Sequence, residues 1–206
     1  MKRNYSILVA MFIACLYFVG CDATSDDSDS KEETKVSPLV GKYKFVDLSA
    51  TVDVKVDGTI SIETADDQKF NGSYKETKDG ADVSFTKDGK TIKLTSKKIE
   101  DDVQKMVSDE IGIDTYAVKI SETAASMAGT WSYGEMKTTI EANGNFSISV
   151  SQDRKITGKA TITGNSFVMK DAEENEVATG VVSASGKAYM SYSNGEDLVQ
   201  GVFTKK

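Results

Sequence analysis

The sequence predicts a mainly β protein made of two tandem small antiparallel barrel or sandwich units. Three observations predict it. Short runs of Val, Ile, Thr, Phe and Tyr alternate with polar residues and are separated by Gly, Asn and Asp. Two stretches, residues 52–63 and 138–150, spell hairpins around Asp57-Gly58 and Asn143-Gly144, dipeptides that accept the positive φ angles of a two-residue turn. The same features then recur down the chain. Leu39-Val40-Gly41-Lys42-Tyr43 aligns with Met127-Ala128-Gly129-Thr130-Trp131, Gly58 with Gly144, Gly72 with Gly158 and Phe85 with Phe167, at an offset of about 82–88 residues.

The chain opens with a positive pair, Lys2 and Arg3, followed by an uncharged run from Tyr5 to Gly20. That run of about 16 residues falls short of the ~20 that span a bilayer and suits a cleaved signal segment, 1–20. Its end, Phe18-Val19-Gly20-Cys21, places a small residue before a cysteine. It resembles the lipobox of bacterial lipoproteins with type-II signal peptides, with Phe18 where those usually carry Leu. The resemblance implies that Cys21 becomes the lipidated first residue, palmitate-bearing and membrane-anchored. Cys15 is the rival; cutting there would leave apolar Leu16–Val19 at the mature terminus and a very short apolar segment. With Cys15 removed and Cys21 acylated, the mature body has no thiol, hence no disulfide and no cysteine nucleophile. The expected address is the cell envelope, the outer membrane favoured over the inner, although Asp22 is an inner-membrane retention signal under some sorting rules.

Residues 21–38 follow as an acidic Ser/Asp/Glu/Lys/Thr tether that cannot bury enough apolar surface to offset ordering. As a flexible chain it spans roughly 20–25 Å. Pro38, the sole proline, closes it.

Two β units are expected over 39–122 and 127–206. Val52, Val54 and Val56 alternate with polar residues before the first turn, and Ile60 and Ile62 after it. Ile140 and Ala142 precede the second turn; Phe146, Ile148 and Val150 follow it. Asp79-Gly80, Asp88-Gly89, Gly164-Asn165 and Asn194-Gly195 are further turn candidates. One stretch breaks the pattern. In 97–111, Ile99, Val103, Met106, Val107 and Ile111 stand at helical spacing with Gly112 as a stop, which predicts an amphipathic helix lying as a lid on the sheet.

The opening of the second unit, with Gly129, Trp131, Asn143, Gly144 and Phe146, resembles lipocalin-like or calycin-type domains, in which a Gly-x-Trp strand precedes such a hairpin. The resemblance implies that Trp131 caps one barrel end and packs on the core. The first unit departs from it, with Tyr43 for Trp and Ile60 for the aromatic. It also raises an alternative architecture, one single lipocalin-like barrel across both units. Closure in either form removes sheet edges.

Composition excludes several chemistries. There is no His, so no His-based acid–base catalysis, no Ser-His-Asp triad and no His-ligated zinc. Asp66-Asp67, Asp101-Asp102 and Glu173-Glu174 pair carboxylates, but in predicted turns or on a helix face, where they read as solvated. No turn has calcium-loop spacing. The net charge of −7 becomes −9 without Lys2 and Arg3, and Arg154 is then the last arginine, so nucleic acid is not expected as a partner. No catalytic residue, metal site or cofactor is expected. The expected function is a non-catalytic binding or interaction module held on a membrane by its lipid. The alternative is a carrier of a small apolar ligand, with Trp131, Tyr133 and Phe146 as candidate pocket wall; a carboxylate-dependent hydrolase ranks last. The carrier reading requires a cavity above ~300 Å³.

Overall fold

A computed structural model describes residues 37–206 apart from 49, 66, 88, 124, 152–153 and 194–197. The signal segment, Cys21 and nearly all of the tether lie outside the described residues, as does the expected turn at Asn194-Gly195.

The chain forms two closed eight-stranded antiparallel barrels. The first holds β1 (Gly41–Phe45), β2 (Ala50–Val54), β3 (Thr59–Thr64), β4 (Lys69–Thr77), β5 (Gly80–Lys87), β6 (Lys90–Glu100), β7 (Val103–Ser108) and β8 (Ile113–Lys119). The second holds β9 (Gly129–Tyr133), β10 (Met136–Ile140), β11 (Asn145–Ser151), β12 (Arg154–Thr163), β13 (Ser166–Asp171), β14 (Glu176–Val182), β15 (Ala188–Ser193) and β16 (Leu198–Lys205). Each is an up-and-down meander whose last strand pairs with its first. The two-unit expectation stands, and a single barrel running through both units does not.

Both predicted hairpins form, with a different loop from the one expected. Lys55 N–H donates to Thr59 O at 2.9 Å and Gly58 N–H to Lys55 O at 3.2 Å. Glu141 and Gly144 repeat this at 2.8 and 3.0 Å. Within these two loops only Gly58 and Gly144 take positive φ, +82° and +84°. This is the three-residue loop, a turn followed by one left-handed residue. Asp57 and Asn143 serve through their side chains, each accepting at 2.9 Å from the backbone N–H two residues on.

The repeat is carried through to side-chain detail. Tyr43 donates its hydroxyl to Leu39 O at 3.0 Å; Trp131, in the matching place, donates Nε1–H to Met127 O at 2.9 Å. Lys119, on the closing strand, donates to Val40 O, and Lys205 to Ser126 O. The Lys205 ammonium also lies 5.5 Å from the Trp131 ring centre. Trp131 is 1 % exposed and sits in the second core.

The expected helix over 97–111 is absent. Lys97–Glu100 end β6, Asp101 and Asp102 turn, and Val103–Ser108 form β7, with Gly112 in the turn before β8. The inward positions of β7 are Gln104, Met106 and, by alternation, Ser108, so two of three are polar. Val103 points the other way and is buried against the second barrel. Apolar residues on both faces of this strand reproduce helical spacing. A second expectation also changes: Phe85 pairs with Gly72, whereas Phe167 pairs with Gly180 one strand further on, so the two phenylalanines are not equivalent.

The barrels pack side by side. Val46, Val103 and Val118 of the first form one buried cluster with Val181 and Tyr189 of the second. Each such side chain contributes about 1.5–3 kcal/mol of burial. Tyr116 and Tyr189 rings meet at 5.0 Å. Around this patch, Glu100 accepts from Lys187 and from Ser185 (2.7 Å), and Asp102 accepts from Ala184 N–H. Burial and the neighbouring Glu100 carboxylate push the Tyr189 hydroxyl pKa well above its ordinary value. Asn165 ties the connecting segment down: Oδ1 accepts from Ser121 N–H at 2.8 Å, and Nδ2 donates to Lys119 O (3.0 Å) and Val182 O (2.9 Å). The Gly164-Asn165 turn therefore joins both barrels.

Candidate binding cavity in the first barrel

A shared chain of strand pairs lets the barrels be matched residue by residue. Gly41 pairs with Val54, Val54 with Ile60, Ile60 with Gly72 and Gly72 with Phe85. Gly129, Ile140, Phe146, Gly158 and Asp171 make the same chain of pairs. Ala81, four residues before Phe85, therefore corresponds to Phe167, four before Asp171. On the closing strands, Tyr43 pairs with Lys119 and Trp131 with Lys205, so Ala117 corresponds to Phe203. Gln104, paired with Ala117, corresponds to Ala188, paired with Phe203. Ser96 and Gly180, both paired with a methionine on the next strand, correspond in turn.

These four positions decide what fills each interior. In the second barrel Phe167 and Phe203 are 1 % and 0 % exposed in a packed core. Phe167 lies over Gly180 so closely that a Cβ there would come within 2.4 Å of its Cζ. In the first barrel the two aromatic rings are replaced by Ala81 and Ala117, and the glycine and alanine by Ser96 and Gln104. The space left is a cavity of about 40 Å³, lined by Tyr43, Ala81, Ser96, Gln104, Met106 and Ala117 among others. Leu39 and Tyr74 also line it and are only partly buried, so it reaches the surface beside the segment that enters β1.

Its polar lining comes from β6 and β7. Gln104 is 4 % exposed; its Oε1 accepts from Ser96 Oγ at 3.1 Å, and its Nε2 has no protein partner. A buried amide donor left unpaired costs about 1–3 kcal/mol. The Tyr43 hydroxyl, committed to Leu39 O, has its pKa pushed up to about 12, chiefly by burial.

Of the residues singled out from sequence, Trp131 and Phe146 are packed in the second core and do not line this cavity. Tyr133 is 42 % exposed, lies against Gly201 and meets the Phe203 ring at 5.3 Å. Cys21 lies outside the described residues. Asp66 lies outside the described residues; of the described paired carboxylates, Asp101 is held by Lys98 at 2.7 Å, Glu174 by Lys170 at 3.7 Å, and Asp102 caps Ala184 across the junction. Ala81, Ala117, Ser96 and Gln104 escaped the sequence reading. The signal was present, since Ala81 and Phe167 stand at the same offset as Gly72 and Gly158, but aligning Phe85 with Phe167 obscured it.

Fold and cavity define a class: a tandem pair of small closed β-barrels, one filled and one carrying a small interior site. No family model matches this chain, and no curated protein or solved structure matches it either.

Proposed function

We propose that this chain is a lipid-anchored, non-catalytic binding module of the bacterial cell envelope, in which the second barrel is scaffold and the first is the binding unit. The observation that carries the binding role is the broken symmetry of the interiors: equivalent positions hold Phe167 and Phe203 in one barrel but Ala81 and Ala117 around a cavity in the other. The anchor rests on Phe18-Val19-Gly20-Cys21, and the acidic segment 22–37 supplies the reach. A carrier of drug-sized apolar molecules needs a far larger space, of at least ~300 Å³. The dispersed, lysine-paired carboxylates lend no support to a hydrolase.

The anchor is tested in cells. Cys21→Ala should move the protein from the membrane to the soluble fraction and abolish palmitate labelling. Labelling that persists in this variant would place the lipid on Cys15 and defeat the assignment.

A further inference from the structure

Deepening the binding-module reading, we propose that the first-barrel cavity takes the narrow, uncharged end of a small molecule that carries a hydroxyl or carbonyl oxygen. Size comes first. A volume of about 40 Å³ holds on the order of three non-hydrogen atoms. The ligand therefore enters by its tip, and the remainder leaves past Leu39 and Tyr74, where the lining is partly exposed. Charge comes second. Among the described residues no Asp, Glu, Lys or Arg lines the space, so an ionised group would be buried without a partner.

Hydrogen bonding then selects the tip. Gln104 Nε2 is a donor with no protein partner, and Ser96 Oγ, already donating to Gln104 Oε1, keeps lone pairs to accept. A hydroxyl oxygen can accept from Gln104 and donate to Ser96; a carbonyl oxygen uses Gln104 alone. Water meets these groups less well, because a buried water makes about three hydrogen bonds and the other hydroxyls of this wall, Tyr43 and Tyr74, already donate to Leu39 O and Lys55 O. The second barrel cannot bind in this way. Its matching positions are Phe167, Phe203, Gly180 and Ala188.

The test is a titration of the full chain, methyl-labelled at methionine, with 1-hexanol, using hexylammonium as the charged control. The alcohol should shift the Met106 methyl saturably and leave Met190, its counterpart in the filled barrel, unmoved; hexylammonium should shift neither. Ala117→Phe, which copies the second barrel, should abolish the effect. Gln104→Leu should weaken binding about 10-fold, equivalent to about 1.4 kcal/mol. If Ala117→Phe fails to fold, Ala81→Leu and the two wild-type methyl signals carry the decision. No saturable Met106 shift, equal shifts at Met106 and Met190, or unchanged affinity in Gln104→Leu would each overturn the inference. Because the anchor is read separately through Cys21 in cells, failure here leaves that assignment standing.

Discussion

The first and second barrels share strand count, pairing register, the ring that bonds back four residues, and the lysine that closes the last strand over the first. They differ in what occupies the middle. Phe167 fits because position 180 is glycine, and Phe203 fits because position 188 is alanine. Where the first barrel carries Ser96 and Gln104 at those positions, alanines stand opposite and space remains. The exchange is coupled, since a ring and a long amide cannot share the same volume. Backbone register is thus tolerant of interior change, and one repeated pairing pattern supports both a packed core and a cavity.

The sharpest way to break this comparison is at the ring positions. Trp131→Ala removes a fully enclosed side chain and its hydrogen bond to Met127, and should cost about 3–5 kcal/mol. Tyr43→Ala removes a ring that already borders a cavity, so fewer contacts are lost, and should cost about 2–3 kcal/mol. Urea unfolding followed by far-ultraviolet circular dichroism measures both. Equal losses would mean that the two interiors are equally well packed.

The next effect probes how far the barrels act as one. Asn165→Ala removes three hydrogen bonds and leaves Ser121 N–H, Lys119 O and Val182 O without it, at about 2–3 kcal/mol. Trp131 is the sole tryptophan, so its fluorescence reports the second barrel, while circular dichroism reports both. The two transitions should coincide in the parent chain and separate in the variant. Coincident transitions in Asn165→Ala would show that the Val46–Val103–Val118 patch suffices to couple the barrels.

The hairpins were legible because their signals are local: Gly58 and Gly144 must adopt positive φ, and the flanking Val52, Val54, Ile60 and Phe146 alternate inward in each unit. Unit number was legible for the same reason, through the repeat. β7 was not, because its residues answer to two different neighbours. Gln104 faces a cavity that tolerates polarity, and Val103 faces a second barrel that demands an apolar exterior. No single-strand pattern anticipates an outward face that is buried by another unit. The site was invisible for a related reason, since it is defined by small residues, Ala81 and Ala117, whose meaning appears only beside Phe167 and Phe203.

The smallest expected effect lies at the junction itself. Asp47, just past β1, accepts from Gln200 Nε2 of the second barrel, while its other oxygen, Oδ1, is buried without a hydrogen-bond partner. Burial raises its pKa above the ordinary 3.8, against the opposing pull of Thr115, Gln200 and the Lys105 ammonium. A carboxyl whose folded pKa is raised holds its proton more tightly when folded. Its contribution is therefore fully present below the ordinary value and is lost as the pH rises through the folded one. Asp47→Asn keeps the acceptor for Gln200 and removes the titration. The stability of the parent chain relative to Asp47→Asn should accordingly fall as the pH is raised above the ordinary carboxylate value of 3.8, read from paired urea midpoints. A difference that stays constant across that range would show that Asp47 is as well solvated in the folded chain as in the unfolded one, and the junction would then be looser on the Asp47 side than on the Asn165 side.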